Sequence, residues 1–490
     1  MIPARLSHRV LWALAALTGL GIAVRFAGLG VQSYHHDEVI TAARVIPGSF
    51  TEMLGQVKAG ESNPPLYYVL AWGWAKVFGS GEVGLRSLTA LFGAATVPVA
   101  FLIGRELASN RAGLVAAALV AVSPMLIWYS QEARSYALLV FFGALSLLFL
   151  ARAMRTGKGR DLGLWALASS LALCSHYFAV FAVAIEAIWL LIALRSRWRA
   201  VLPALLAVGA VGLALLPLIL AQINPTHIGW IDHSPLSTRL FETGGSFLSG
   251  ETGHVIAQSP RERYALIPAL LIGIALLLVA LRGSNREKRT AVLGLTLGVG
   301  VVLLASAAAL LGRDYIVERN LLPALIPLFI AAAAGFAASG ARRVGIALAT
   351  VLCAYWLAFD IHVARTLNLQ RPDFRQLTEQ LGPPHRPRAI VTWTLAADGV
   401  QFYLDHPSRR KYRGKLPIGE VAVISKAVVG RPAGLPAAFH PVERLRFDRL
   451  TLTRYLASGI HRVPTLALRD ARTGFGRNAV IVDGVPSLEG

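Results

Sequence analysis

Eleven apolar stretches, each long enough to cross about 30 Å of hydrocarbon as a helix, leave this chain few ways to fold. They lie near residues 10–30, 84–104, 112–129, 135–152, 161–176, 177–195, 200–222, 264–281, 291–311, 321–339 and 342–360. A backbone amide or carbonyl in lipid finds no water, so segments of this kind satisfy those groups within a helix. The expected fold class is therefore an all-α polytopic membrane protein with about eleven transmembrane helices. Composition agrees: 55% of the 490 residues are hydrophobic and 15% are charged. The mean hydropathy of +0.56 is too apolar for a soluble chain of this length. Only Ser175, His176 and Tyr177 separate the two halves of 161–195, which read as a hairpin of two spans or as one irregular pass.

A formal net charge of +21 raises nucleic acid as a partner. The basic residues, however, fall in short clusters between apolar stretches and in the C-terminal part, not along one soluble face, so no nucleic acid is expected. Their order has another meaning. Arg105 and Arg111, then Arg152, Arg155, Lys158 and Arg160, then Arg195, Arg197 and Arg199, then Arg282, Arg286, Lys288 and Arg289, and finally Arg342 and Arg343 occupy alternate connections. The positive-inside bias puts these in the cytoplasm. The expectation is a multi-pass protein of the cell (inner) membrane, N-terminus cytoplasmic and residues beyond 360 outside. Arg5 and Arg9 precede a first stretch longer than a signal-peptide core, so it is expected to be retained. Cys174 and Cys353 both lie inside apolar stretches, which offers neither a disulfide framework nor a cysteine metal cluster.

Two domains are expected. Residues 1–360 form the transmembrane domain, with long outer loops at 31–83 and at 223–263, the latter marked by Pro225, Pro235, Gly244, Gly245, Gly250 and Gly253 as turn signals. Pro65 to Phe78 carries enough Tyr, Trp and Leu to lie as an interfacial helix. Residues 361–490 form a small soluble α/β domain, with a helix over Arg371–Leu381 and strands over Arg388–Thr392 and Glu420–Ile424.

The polar residues that could do chemistry fall on the outer side of that topology. Asp37 and Glu38 follow the first span and are placed to accept a proton from a hydroxyl and to balance positive charge developing on a reacting carbon; a solvated turn is the plainer reading. His35 and His36 beside them leave a divalent metal open, and no other cofactor is called for. Asn63-Pro64-Pro65-Leu66-Tyr67-Tyr68 is a rigid turn into an aromatic helix. Glu132, Arg134 and Tyr136 follow the third stretch, where Arg134 either pairs with Glu132 or binds a phosphate. His176 and Tyr177 occupy one tight turn, and Arg319 precedes a stretch bent by Pro323 and Pro327. Arg319 either snorkels to headgroups or clamps a phosphate.

These motifs resemble the C-type (GT-C) glycosyltransferases, in particular bacterial relatives of protein O-mannosyltransferases and of the enzyme that adds aminoarabinose to lipid A. The resemblance is carried by His36-Asp37-Glu38, Asn63 to Tyr68, Leu85-Arg86-Ser87-Leu88, Tyr129 to Tyr136, His176-Tyr177-Phe178 and Arg319-Asn320-Leu321-Leu322-Pro323. It implies an inverting transfer of a sugar from a polyprenyl-phosphate carrier to a lipid, glycan or protein hydroxyl, outside the cytoplasm. It further implies that Asp37 is the catalytic base with Glu38 assisting, and that Arg86, Arg134 and Arg319 hold the donor phosphate. His36, Asn63, Tyr67, Glu132, Tyr136, His176 and Tyr177 would line the cavity. Many relatives have tyrosine where Asn320 stands, and residues 361–490 show no carbohydrate-binding signature, so the acceptor is open. That segment carries 20 Lys and Arg against 10 Asp and Glu, a balance suited to anionic lipid surfaces. A transporter or flippase of lipid-linked sugars is the alternative; it would place ionisable residues near the midplane, where Arg25 and Glu186 are the main charges.

Overall fold

The computed structural model describes residues 6–223, 234–250, 261–366, 369–404, 408–409, 414–426, 430–432, 434–447, 450–471, 473 and 478–484. The chain divides into two compact units, one of residues 1–29 and 45–362, the other of residues 30–44 and 363–490. The chain passes from the first unit to the second between residues 362 and 363. The transfer of residues 30–44 to the second unit was not anticipated.

Among the described residues the regular elements of the first unit are all helices. In chain order the helices reaching into the first half of the molecule are α1 (His8–Phe26), α2 (His36–Ile40, in the other unit), α3 (Phe50–Gly60), α4 (Leu66–Phe78), α5 (Glu82–Leu107), α6 (Asn110–Val122), α7 (Pro124–Ser130), α8 (Tyr136–Thr156), α9 (Gly159–Ser175), α10 (Ala179–Ala193) and α11 (Trp198–Gln222). Helices Leu236–Ser249, Arg261–Arg282, Asn285–Leu310, Leu325–Phe336 and Arg342–Arg365 follow. Each of the eleven expected stretches is helical, but among the described residues eight helices are long and apolar enough to span, or nine if one bent pair counts as a span. The pair 161–195 is two helices, α9 and α10, broken over His176–Phe178. They have 17 and 15 residues, or about 25 and 22 Å at the helical rise, short of the full hydrocarbon thickness. Gly244 and Gly245, read as turn signals, lie inside helix Leu236–Ser249; Pro225 and Gly253 lie outside the described residues.

The bent pair is α6 and α7, which meet at 56° instead of continuing as the single stretch expected over 112–129. Pro124 cannot donate to the preceding turn, and the Ser123 hydroxyl accepts from the Leu126 amide at 3.4 Å to start the new helix. The break leaves carbonyls of Val120 and Ala121 without helical partners. The guanidinium of Arg25, fully buried, donates to both at 2.8 Å. The Gln131 side chain in turn donates to the carbonyls of Val24, Arg25 and Ala27 at 3.1, 3.3 and 2.9 Å, capping the end of α1. Close approach of α5 and α6 depends on Gly104 and Gly113: a Cβ on Gly104 would sit 2.8 Å from the Gly113 backbone.

The second unit contains a six-stranded sheet of β1 (Arg388–Trp393), β2 (Ser408–Arg409), β3 (Lys415–Ser425), β4 (His440–Phe447), β5 (Leu450–Pro464) and β6 (Asn478–Asp483), in the order β2-β6-β1-β3-β5-β4. β1 pairs parallel with β3 and antiparallel with β6. Alternation along the strands sends Ala389, Val391, Val421, Val423, Val480 and Val482 to one face. Ile390, Ala422, Ile424 and Ile481 point to the other, where Phe374, Leu377, Ala396, Ala397 and Val400 cover them. Those covering residues come from helices Phe374–Leu381 and Thr394–Tyr403. The small α/β domain expected over 361–490 is thus present, with a helix and two strands close to where the sequence indicates them.

Candidate active site

The candidate residues divide between the two units. In the first, the Asn63-Pro64-Pro65 turn leads into α4, whose Tyr67 and Tyr68 are fully buried and meet edge-to-face at 5.2 Å. Arg134, in the turn between α7 and α8, reaches back 73 residues in sequence. Its Nη1 and Nη2 donate to Glu61 Oε1 and Oε2 at 3.0 and 2.9 Å, a bidentate pair with both side chains buried. The guanidinium also lies 5.8 Å from the centre of the Tyr68 ring. Burial raises the Tyr68 hydroxyl well above its ordinary range, with Arg134 pulling the other way. Glu132, the partner considered from sequence, offers its backbone carbonyl to the Arg134 amide at 2.7 Å and is itself buried.

Tyr136 starts α8 and brings its ring to 4.9 Å from Tyr129 and 5.5 Å from His176. His176 is buried, and its Nδ1 accepts from the Phe178 amide at 3.3 Å. Burial pushes its imidazole down to about 3, and the positive charges of Arg134 and then Arg319 add to the fall. That places both guanidiniums in the neighbourhood of one neutral histidine. Arg319 lies in a 3-10 segment, Glu318–Ala324, ahead of helix Leu325–Phe336; Pro323 and Pro327, lacking amide hydrogens, leave the tighter turn as the local alternative to a regular helix. Arg86 is buried within α5, and its Nη1 donates to the Leu29 carbonyl at 2.8 Å.

Gln222, at the end of α11, ties several of these pieces together. Its Nε2 donates to the carbonyls of Val57 and Asn63 at 2.8 and 3.1 Å, and its Oε1 accepts from the Tyr177 hydroxyl at 2.6 Å. Neither Gln222 nor Glu61 was among the residues picked from sequence as site residues. A lone amide closing an apolar run is the one signal that could have found Gln222.

In the second unit His36, Asp37 and Glu38 form the first turn of α2. Glu38 is buried, and its Oε2 accepts from the His35 amide at 2.9 Å, half of a capping box. Glu38 is thereby a helix-starting residue, whereas Asp37 is half-buried and its carbonyl accepts from the Thr41 hydroxyl at 3.4 Å. Burial pushes His35 down to about 3, opposed by Asp37 and aided by Arg371. His36 Nδ1 lies 3.2 Å from Asp398 Oδ2. Among the described residues no three His, Cys, Asp or Glu side chains are grouped as metal ligands.

Comparison with known proteins adds independent information. Residues 62–220 match the family model described as dolichyl-phosphate-mannose-protein mannosyltransferase. No curated protein matches the sequence. Solved structures that are similar include the protein O-mannosyltransferase Pmt1-Pmt2 complex of S. cerevisiae bound to the sugar donor, at 21% identity and a TM-score of 0.36 over 45% of this chain and 34% of that one. The chain therefore spans about a third of that relative's length. They also include ArnT from Cupriavidus metallidurans, at 14% identity and a TM-score of 0.43 over 91% of this chain and 98% of that one. A third is the oligosaccharyltransferase AglB of Archaeoglobus fulgidus, at 12% identity and a TM-score of 0.43 over 82% of this chain and 60% of that one. The family match takes in Asn63 to Tyr68, Arg86, Tyr129 to Tyr136 and His176 to Phe178.

Proposed function

We propose that the protein is an inverting glycosyltransferase that moves one sugar from a polyprenyl-phosphate carrier to a hydroxyl of a lipid, glycan or protein on the extracytoplasmic face. In this reading Asp37 takes the proton of the acceptor hydroxyl as its oxygen attacks the anomeric carbon from the side opposite the phosphate. The bond between that carbon and the phosphate oxygen breaks, and the polyprenyl phosphate leaves with the electron pair. Arginines neutralise it as it departs.

The observation that carries the proposal is the match of residues 62–220 to a family model whose description names dolichyl-phosphate mannose, over a stretch that buries Arg134 with Glu61 beside the Tyr68 ring. Arg134, engaged bidentately by Glu61, acts in this reading as a supporting charge beside Arg86 and Arg319. Glu38 accepts the capping amide of α2, and Asp37 is assigned the proton.

The transporter reading loses its two midplane candidates. Arg25 is taken up by carbonyls of α1 and α6, and Glu186 accepts from Trp165 Nε1 and Ser146 Oγ at 2.8 and 3.1 Å. Mass spectrometry of lipids, glycans and envelope proteins from cells with and without the gene tests the proposal. One sugar mass missing from one acceptor class supports it; unchanged acceptors with accumulated lipid-linked sugar on the cytoplasmic side favour transport instead.

A further inference from the structure

We propose that the C-terminal domain is the positioning device for the acidic turn, with Asp398 its central residue. The inference rests on the reading of Asp37 as the base. Residues 30–44 pack as one unit with residues 363–490, and the contacts that join them are specific. Arg375 Nη2 donates to the carbonyls of Gly30 and Val31 at 2.9 and 3.0 Å. The Ser33 hydroxyl donates to the Pro372 carbonyl at 3.3 Å and accepts from the Phe374 amide at 2.9 Å. The Tyr34 amide donates to the Tyr403 hydroxyl at 2.7 Å, and its ring meets Phe402 edge-on at 5.8 Å.

Asp398 then faces both flanks of Asp37 with one carboxylate, hydrogen-bonded to Arg44 and standing close to His36 without a hydrogen bond. Its Oδ2 lies 3.2 Å from His36 Nδ1, and its Oδ1 accepts from Arg44 Nη2 at 2.9 Å. Those two residues stand in the five-residue α2 and in the π-turn Thr41–Val45 that follows it directly. One helical turn cannot sustain itself in water, so its orientation must come from outside. Helix Thr394–Tyr403 supplies it. Ala396, Ala397 and Val400 seat that helix on the sheet with Tyr403 packed beside them, while Asp398 and Phe402, four residues apart, share its other face. A reacting group misplaced by about 1 Å loses roughly a hundredfold in rate, which gives such anchoring a catalytic consequence. Asp398 is a positioning residue; it acts through His36 and the turn.

The test uses the full-length protein in lipid nanodiscs with undecaprenyl-phosphate mannose as donor, reading hydrogen exchange over 30–44 and donor kinetics together. Asp398→Ala is expected to raise exchange of the 34–44 peptide several-fold and to lower kcat by about tenfold to a hundredfold, with donor KM changed less than about twofold. Peptides over 388–393 and 415–425 keep their protection, and Asp398→Glu restores most of the turnover. Unchanged exchange over 34–44, or a loss of turnover accompanied by loss of protection throughout the sheet, overturns the proposal. If Asp398→Ala does not fold, Tyr403→Phe removes a single hydroxyl and is read the same way. The exchange measurement stands whatever the activity: if Asp37→Asn remains active while Asp398→Ala frees the turn, the assignment of the base fails and the anchoring survives.

Discussion

Arg134 takes its meaning from a partner 73 residues away in sequence. As a loop arginine beside Glu132 it could bind a headgroup or close a turn; paired bidentately with buried Glu61 it becomes half of an internal ion pair. Removing one member of such a pair leaves a buried charge uncompensated, at about 3–5 kcal/mol. Glu61→Gln and Arg134→Met are each expected to lower thermal stability in detergent by that order, and the two together to lose clearly less than their sum. An additive double variant would show that the pair contributes nothing of its own. His176 adds a pH dependence. Its folded value, about 3, lies below the unfolded value near 6.5, so the unfolded chain takes up the proton first. Its contribution to stability is complete above about pH 6.5 and is lost as pH falls toward 3. His176→Asn is expected to flatten the acid limb of a melting-temperature profile between those values, and an unaltered limb would exclude the histidine as its source. None of these partners could be read along the sequence, because residue type gives a charge and only the fold gives its neighbour.

Helices were the most legible level. Apolar runs are local, so all eleven stretches became helices, as did Pro65–Phe78 and the opening of the C-terminal domain. What hydropathy did not reveal was the break inside residues 112–129, although Ser123-Pro124 is a turn signal, because the flanking residues are equally apolar on both sides of it. The break works because Arg25 satisfies the carbonyls it frees. Arg25→Met should leave two carbonyls unsatisfied in an apolar setting, a cost of several kcal/mol, and greatly reduce the yield of folded protein in membranes; a normal yield with an unchanged melting temperature would mean that water or another donor replaces the guanidinium. Gln222 makes a smaller version of the same argument. With three hydrogen bonds to α3, the Asn63 turn and Tyr177, its replacement by Ala should cost about 1–3 kcal/mol in a denaturation measurement.

At the scale of the whole molecule, the charge pattern between spans was legible and the union of residues 30–44 with residues 363–490 was not. The anchoring bonds join residues more than 330 apart, and no local pattern encodes such pairing. The family match stops short of both the acidic turn and Arg319, so their roles depend on chemistry alone. Topology is a further prediction here: a membrane-impermeant maleimide should label a cysteine at Ser80 in sealed cells, and one at Gly159 only after permeabilisation. The reverse pattern would put the acidic turn in the cytoplasm, where a hydroxyl acceptor outside the cell could not reach it. The most direct measurement is the release of polyprenyl phosphate from a polyprenyl-phosphate sugar by purified protein in proteoliposomes, wild type against Asp37→Asn. Loss of at least about a hundredfold in a variant that inserts and melts normally is the predicted result, and turnover within a few-fold of wild type would contradict the account.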